Sequence, residues 1–127
     1  MATTIEYGTY IIDLCNAMLE HPGGLTQAQG KRLKVIRRQT INFLTKYMSH
    51  QSSSLLDLLT YFNEYALKPL QIIHACCESI LNGQCGPVQP DYGEAIVEIV
   101  DCCLAMHDDI DDMRKNLDQL MNDLDMV

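Results

Sequence analysis

The sequence predicts an all-α fold, a left-handed antiparallel four-helix bundle built from two helical hairpins. Three observations carry that prediction. Apolar residues recur at spacings of three and four over long stretches. Helix start and stop signals fall at the ends of four such stretches. The few Pro and Gly gather into short clusters instead of marking the regular turns of a sandwich or barrel. At 127 residues the chain has the size of one domain, 1–127, long enough to bury a single core.

The first helix is expected from an N-cap at Thr3 or Thr4 to about Glu20. Ile5, Ile11, Ile12, Cys15, Met18 and Leu19 form its apolar stripe. His21-Pro22-Gly23-Gly24 ends it. Thr26 and Gln29 have capping-box spacing, so the second helix opens there and runs to about His50, with Leu33, Ile36, Thr40, Phe43, Leu44 and Tyr47 facing the core. Ser54 with Asp57 opens the third helix, expected to continue to about Leu81 with a bend at Pro69, which removes one backbone donor. Its stripe is Leu55, Leu58, Leu59, Phe62, Ala66, Leu70, Ile73, Cys77 and Ile80. Asn82-Gly83 stops it, and Pro90 or Asp91 opens the fourth and longest helix. There the stripe Ile96, Ile99, Val100, Cys103, Met106, Ile110, Met113, Leu117, Leu120 and Leu124 approaches a heptad repeat.

The chain also repeats itself. Tyr10-Ile11-Ile12-Asp13-Leu14-Cys15 aligns with Gln71-Ile72-Ile73-His74-Ala75-Cys76 at an offset of 61. Leu33-Lys34-Val35-Ile36 aligns with Ile96-Val97-Glu98-Ile99 at an offset of 63, which gives the second loop two extra residues. Hairpin 1 is thus about 3–51 and hairpin 2 about 54–126. A lone hairpin cannot cover its own stripe, so the two are expected to pack with pseudo-two-fold symmetry, as a monomeric pseudo-dimer or a homodimer of such units.

Composition narrows the function. A formal charge of −8 opposes nucleic-acid binding, which needs a cationic surface to release counterions. The charge is uneven: Lys31, Arg32, Lys34, Arg37 and Arg38 cluster in the first half and most carboxylates follow Asp91. No apolar run reaches membrane-span length, and the N-terminal segment lacks a basic signal-peptide region, so a cytoplasmic protein without membrane association is expected. The six cysteines read as reduced thiols rather than a disulfide framework.

The segment from Pro69 to Val88 resembles the dimerisation and histidine-phosphotransfer domain of bacterial sensor histidine kinases. Pro69, Leu70, Ile73, Glu78, Leu81, Gly83, Gly86 and Pro87 fall in register with that family's Pro-Leu, Glu, Asn-Gly and Gly-Pro-Leu features. The resemblance covers roughly residues 60–125, and residues 5–50 more loosely as a second copy. The family's phosphoacceptor histidine lies five residues before the proline, where this chain has Glu64. Without an imidazole there is no phosphoramidate, and no Gly-rich nucleotide motif is present. The resemblance therefore implies the scaffold without the chemistry: a non-enzymatic module binding a histidine kinase or a response regulator, with Glu64, Lys68 and His74 as candidate partner-binding residues and no cofactor.

Other constellations compete with plainer readings. His74 could serve as the acceptor of a histidine phosphotransfer protein, but the family pattern has an inward apolar residue there, so a partly buried, hydrogen-bonded histidine is expected. Cys76-Cys77 and Cys102-Cys103 could offer thiolates to zinc, yet neighbours on a helix point about 100° apart and the pairs count out of register from the loop. Small core residues are the expectation there, with no metal. Asp108-Asp109-Ile110-Asp111-Asp112 resembles an aspartate-rich magnesium motif but is expected to be a solvated face. A purely structural helical domain of a larger protein is the remaining alternative.

Overall fold

Among residues 3–125, three of the five α-helices begin under a capping side chain and one on a proline; the helix that starts at Leu67, after Ala66, has no side-chain cap. The computed structural model describes residues 3–125. Residues 1–2 and 126–127, the outer limits expected for the domain and for hairpin 2, lie outside the described residues. Helix α1 (Thr4–Leu19) is capped by the Thr3 hydroxyl, which accepts from the Glu6 N–H. After a 3-10 turn at Pro22–Gly24 comes α2 (Gln27–Ser49), with a complete capping box between Thr26 and Gln29. Ser54 caps α3 (Leu55–Glu64) by accepting from the Asp57 N–H. Helix α4 (Leu67–Leu81) ends on Asn82, followed by Gly83 at φ 79°, a left-handed conformation that glycine adopts without strain. Helix α5 (Pro90–Asp125) starts on Pro90, whose missing N–H would have had no helical partner.

The expected third helix is two helices. The break falls at Tyr65–Ala66, not at Pro69, and the reason is the proline's own chemistry. Pro69 cannot donate to the carbonyl four residues earlier, and its ring crowds that carbonyl, which belongs to Tyr65. The chain responds at Tyr65, with φ −125° and ψ −32°. The N–H groups of Tyr65 and Ala66 both reach the Tyr61 carbonyl, at 2.9 Å each. Pro69 itself then sits in the first turn of α4, where no donor is needed.

Four helices, α1, α2, α4 and α5, pack together, and α3 lies chiefly on α5. Among the described residues there is no strand, and no helix is long and apolar enough to cross a membrane. The core contains Ile11, Cys15, Leu33, Ile36, Phe43, Leu70, Ile73, Cys77, Ile96, Ile99, Met106 and Ile110. Tyr47 is only half-buried, and Ile5, Leu120 and Leu124 are exposed, contrary to their place in the predicted stripes. For the two leucines the cause is length. α5 has 36 residues and spans about 54 Å, while α1, with 16, spans about 24 Å. Its last turns leave Leu120 and Leu124 exposed.

Burial recurs along the chain at two nearly equal steps. Thr4, Gly8, Ile11, Cys15 and Met18 are the buried positions of α1; Ala66, Leu70, Ile73, Cys77 and Ile80 follow the same order 62 residues later. In α2 and α5, Leu33, Ile36, Thr40 and Phe43 correspond to Ile96, Ile99, Cys103 and Met106 at a step of 63. The 63 matches the sequence alignment. The 61 does not, because it sets buried Ile11 against Ile72, which is 41 % exposed. The second loop is therefore longer by one residue, not two.

Contacts between distant segments fix which ends meet. The Tyr92 hydroxyl donates to the His21 carbonyl at 2.8 Å, and the Thr26 hydroxyl donates to the Cys85 carbonyl. Gln29 is 2 % exposed, and its amide donates to the Pro87 carbonyl at 2.9 Å. These bonds gather the 20–26 and 82–89 connections at one end. At the other, Thr4 Oγ1 donates to Asp109 at 3.2 Å, and the His50 ring stacks on Tyr61 with centroids 4.1 Å apart.

Candidate functional site

Glu64 is the last residue of α3 and is exposed, one position before the helix break. Lys68, in the first turn of α4, is exposed as well, with Nζ 5.7 Å from the centroid of the Tyr65 ring. The break thus brings Glu64, Tyr65 and Lys68 onto one irregular, solvated stretch, and Tyr65 is 53 % exposed. His74 does not join them. At about 100° per residue, six positions along α4 turn it roughly 120° away from Lys68 and about 9 Å along the axis.

His74 lines an open groove of about 310 Å³ between α4 and α5, together with Leu70, Glu78, Leu104 and His107. Its side chain is 35 % exposed and its Nδ1 lies 3.6 Å from Glu78 Oε1. That pairing is solvent-facing and worth little to stability. The partial burial expected of His74 holds, but a 3.6 Å approach to Glu78 is too long for the hydrogen bond expected with it; Ile73, the neighbouring residue, takes the core position at 0 % exposure.

All six cysteines are free. Burial pushes the Cys15 and Cys103 thiols up to about 12 and raises Cys77 as well, with the neighbouring Cys103 and Cys15 adding to the effect at Cys77. Cys103 Sγ donates to the Leu70 carbonyl at 3.2 Å, a bond that requires the proton. Cys76 is half-buried, and burial raises its thiol too. These groups are held away from the thiolate form that nucleophilic or metal-binding chemistry uses. Among the described residues, no three His, Cys, Asp or Glu side chains converge as a metal-binding group.

The aspartate-rich stretch of α5 is partly engaged. Asp109 accepts from Thr4, while Asp111 meets Arg114 at 2.6 Å and Lys115 at 3.0 Å. Lys115, with Arg114 beside it, holds the Asp111 carboxyl below the usual carboxylate range. One carboxylate of the group is thus already neutralised by the chain's own cations.

Two surface features escape a reading by local pattern. An apolar cleft of about 370 Å³ is walled by Tyr47, Leu58, Phe62, Met113 and Leu117, where α2, α3 and α5 meet. A groove of about 500 Å³ between the end of α1 and the start of α2 is lined by Leu19, Leu25, Gly30, Lys31, Lys34 and Arg37. The cationic run is visible in the sequence. Its juxtaposition with Leu19 and Leu25 depends on how the first loop folds back. Compared with known proteins, the chain matches no family model, and no curated protein or solved structure matches it significantly.

Proposed function

We propose that the chain is a non-catalytic interaction module of two-component signalling, cytoplasmic and without a cofactor. In this reading it is a pseudo-dimer of two antiparallel hairpins, resembling a histidine kinase dimerisation domain that carries Glu64 in place of the phosphoacceptor. It engages a histidine kinase or a response regulator through the exposed stretch around Glu64 and Lys68. The observation that carries the proposal is the recurrence of burial at steps of 62 and 63. Two near-equal steps are what a duplicated hairpin leaves behind when each copy fills half of a shared core. The end-to-end contacts Tyr92–His21 and Thr4–Asp109 agree with antiparallel neighbours, and six free thiols suit a reducing compartment.

The experiment is a titration of the labelled protein with purified receiver domains and kinase dimerisation domains. Binding that weakens at least tenfold, about 1.4 kcal/mol, in Glu64→Arg and Lys68→Glu is the expected result. Absence of binding to every such domain, or binding indifferent to both substitutions, would defeat the reading.

The accessible edge of the His74 ring supports a second reading, phosphotransfer. There the imidazole nitrogen would attack the phosphoryl group of an acyl phosphate, forming the N–P bond as the bond to the carboxylate oxygen breaks. Incubation with acetyl phosphate or a phosphorylated receiver, followed by mass spectrometry, separates the two. An acid-labile phosphate on His74, lost in His74→Gln, selects phosphotransfer. A chain that neither binds such domains nor accepts phosphate is a purely structural bundle.

A further inference from the structure

We infer that this protein self-associates head to tail: the acidic last turns of α5 in one copy seat in the cationic groove between α1 and α2 of the next. This rests on surfaces separate from those around Glu64, Lys68 and His74.

The acceptor is the groove at the start of α2. Leu19 and Leu25 are half-buried there, and Lys31 and Lys34 stand exposed on its rim. Neither lysine forms an ion pair among the described residues, and Arg37 is held by the Asn16 side chain at 2.9 Å. From residue 21 to 56 the sequence has six Lys and Arg and no Asp or Glu, so this stretch carries +6 in a chain of net −8. A concave, partly apolar surface with an unneutralised cationic rim fits an amphipathic segment that is acidic on its polar side.

The chain displays such a segment. After Lys115, α5 contains Asp118, Asp123 and Asp125 and no further cation. Leu120 and Leu124 stand four residues apart on one side of that helix, at 42 % and 56 % exposure. Leu117, just before them, is already turned into the apolar cleft beside Tyr47 and Leu58, so Leu120 and Leu124 lie beyond that cover.

Geometry makes the contact intermolecular. The groove lies at the end where Thr26 meets Cys85 and Tyr92 meets His21. Leu120 is 28 residues along α5 from Tyr92, about 42 Å away toward the far end of the same helix. No copy can therefore fill its own groove. Pairing two α5 ends symmetrically would set their aspartates against one another, whereas the groove supplies opposite charge. Each copy has one donor end and one acceptor groove, a heterologous arrangement that continues instead of closing at two.

The test is sedimentation of the intact protein over a range of concentrations. At about 50 mM salt the mean mass should climb past that of a dimer as concentration rises, and it should fall back at about 0.5 M salt, where screening removes the charge term. Lys31→Glu/Lys34→Glu and Leu120→Ser/Leu124→Ser should each be monomeric alone. Mixed in equal amounts they should form a one-to-one dimer and stop, because one supplies an intact α5 end and the other an intact groove. That recovery also certifies that both variants fold. A wild-type protein that stays monomeric throughout, oligomers indifferent to either pair of substitutions, or a mixture that does not dimerise would each overturn the proposal. Binding of an unrelated acidic peptide in the groove of a strictly monomeric chain would assign the groove to another occupant and overturn it equally.

Discussion

Raising the pH from 8 to 10 should erode the stability of this bundle through its core thiols. Cys15, Cys77 and Cys103 are 0 %, 0 % and 2 % exposed, so solvent does little to soften their environment. An unfolded thiol titrates near 9, whereas burial holds Cys15 and Cys103 protonated up to about 12 and Cys77 is raised too. Above pH 9 the unfolded chain releases these protons and the folded chain keeps them, so the unfolded state binds fewer and stability falls as pH rises. The stabilisation is complete below pH 9 and disappears as the pH passes through 12. At pH 10 each thiol shifts the balance toward unfolding by roughly 1–2 kcal/mol, and three together by about 4 kcal/mol. That is a substantial part of the 5–15 kcal/mol, roughly, by which domains are stable. Urea unfolding at both pH values, on the wild type and on Cys15→Ala/Cys77→Ala/Cys103→Ala, isolates the contribution. The variant should start less stable but lose about 4 kcal/mol less between the two conditions. Equal losses would refute the reasoning. Tyr61, pushed up to about 12 from 10.0, makes pH 10 a better upper limit than 11.

Three further outcomes are expected. Ile11→Ala and Ile73→Ala, at positions that correspond under the step of 62, should each cost about 2–5 kcal/mol and agree within about 1 kcal/mol; a large disparity in chemical denaturation would contradict equivalent hairpins. Gly86→Ala should destabilise by about 2 kcal/mol, read from the thermal midpoint, because Gly86 has φ 104° and a Cβ there would lie 2.8 Å from Thr26 Cγ2. Pro69→Ala should let α3 and α4 fuse, raising the far-ultraviolet helix signal by a few residues; an unchanged signal would mean that something other than the proline holds the break at Tyr65.

Three helix starts were legible because each depends on residues three apart in the chain, whereas the start of α4 after Ala66 has no capping side chain to announce it. Thr3, Thr26 with Gln29, and Ser54 all act as their local pattern predicts. What failed depends on neighbours that sequence spacing does not contain. Adjacent isoleucines at 11–12 and 72–73, and adjacent cysteines at 76–77, let the repeat be aligned one residue out; only burial distinguishes Ile73 from Ile72. Leu120 and Leu124 continue a faultless periodicity past the end of the helices they would have packed on. Gln29 was legible as half of a capping box, but not as the residue whose amide also reaches the Pro87 carbonyl in the 82–89 connection. Lys68 and Glu64 were expected near each other from sequence alone, and the break keeps both in solvent, whereas His74 turned out to belong to a separate groove.

That double use of Thr26 and Gln29 has a mechanical consequence. One end of the molecule is riveted by partly buried bonds between the connections, while at the other α3 rests mainly on α5 and is cut off from α4 at Tyr65. Thermal breathing should therefore be lopsided. The packed helices would swing open like jaws from the His50–Tyr61 side, and amides of α3 would exchange with deuterated solvent long before those of the first turns of α2.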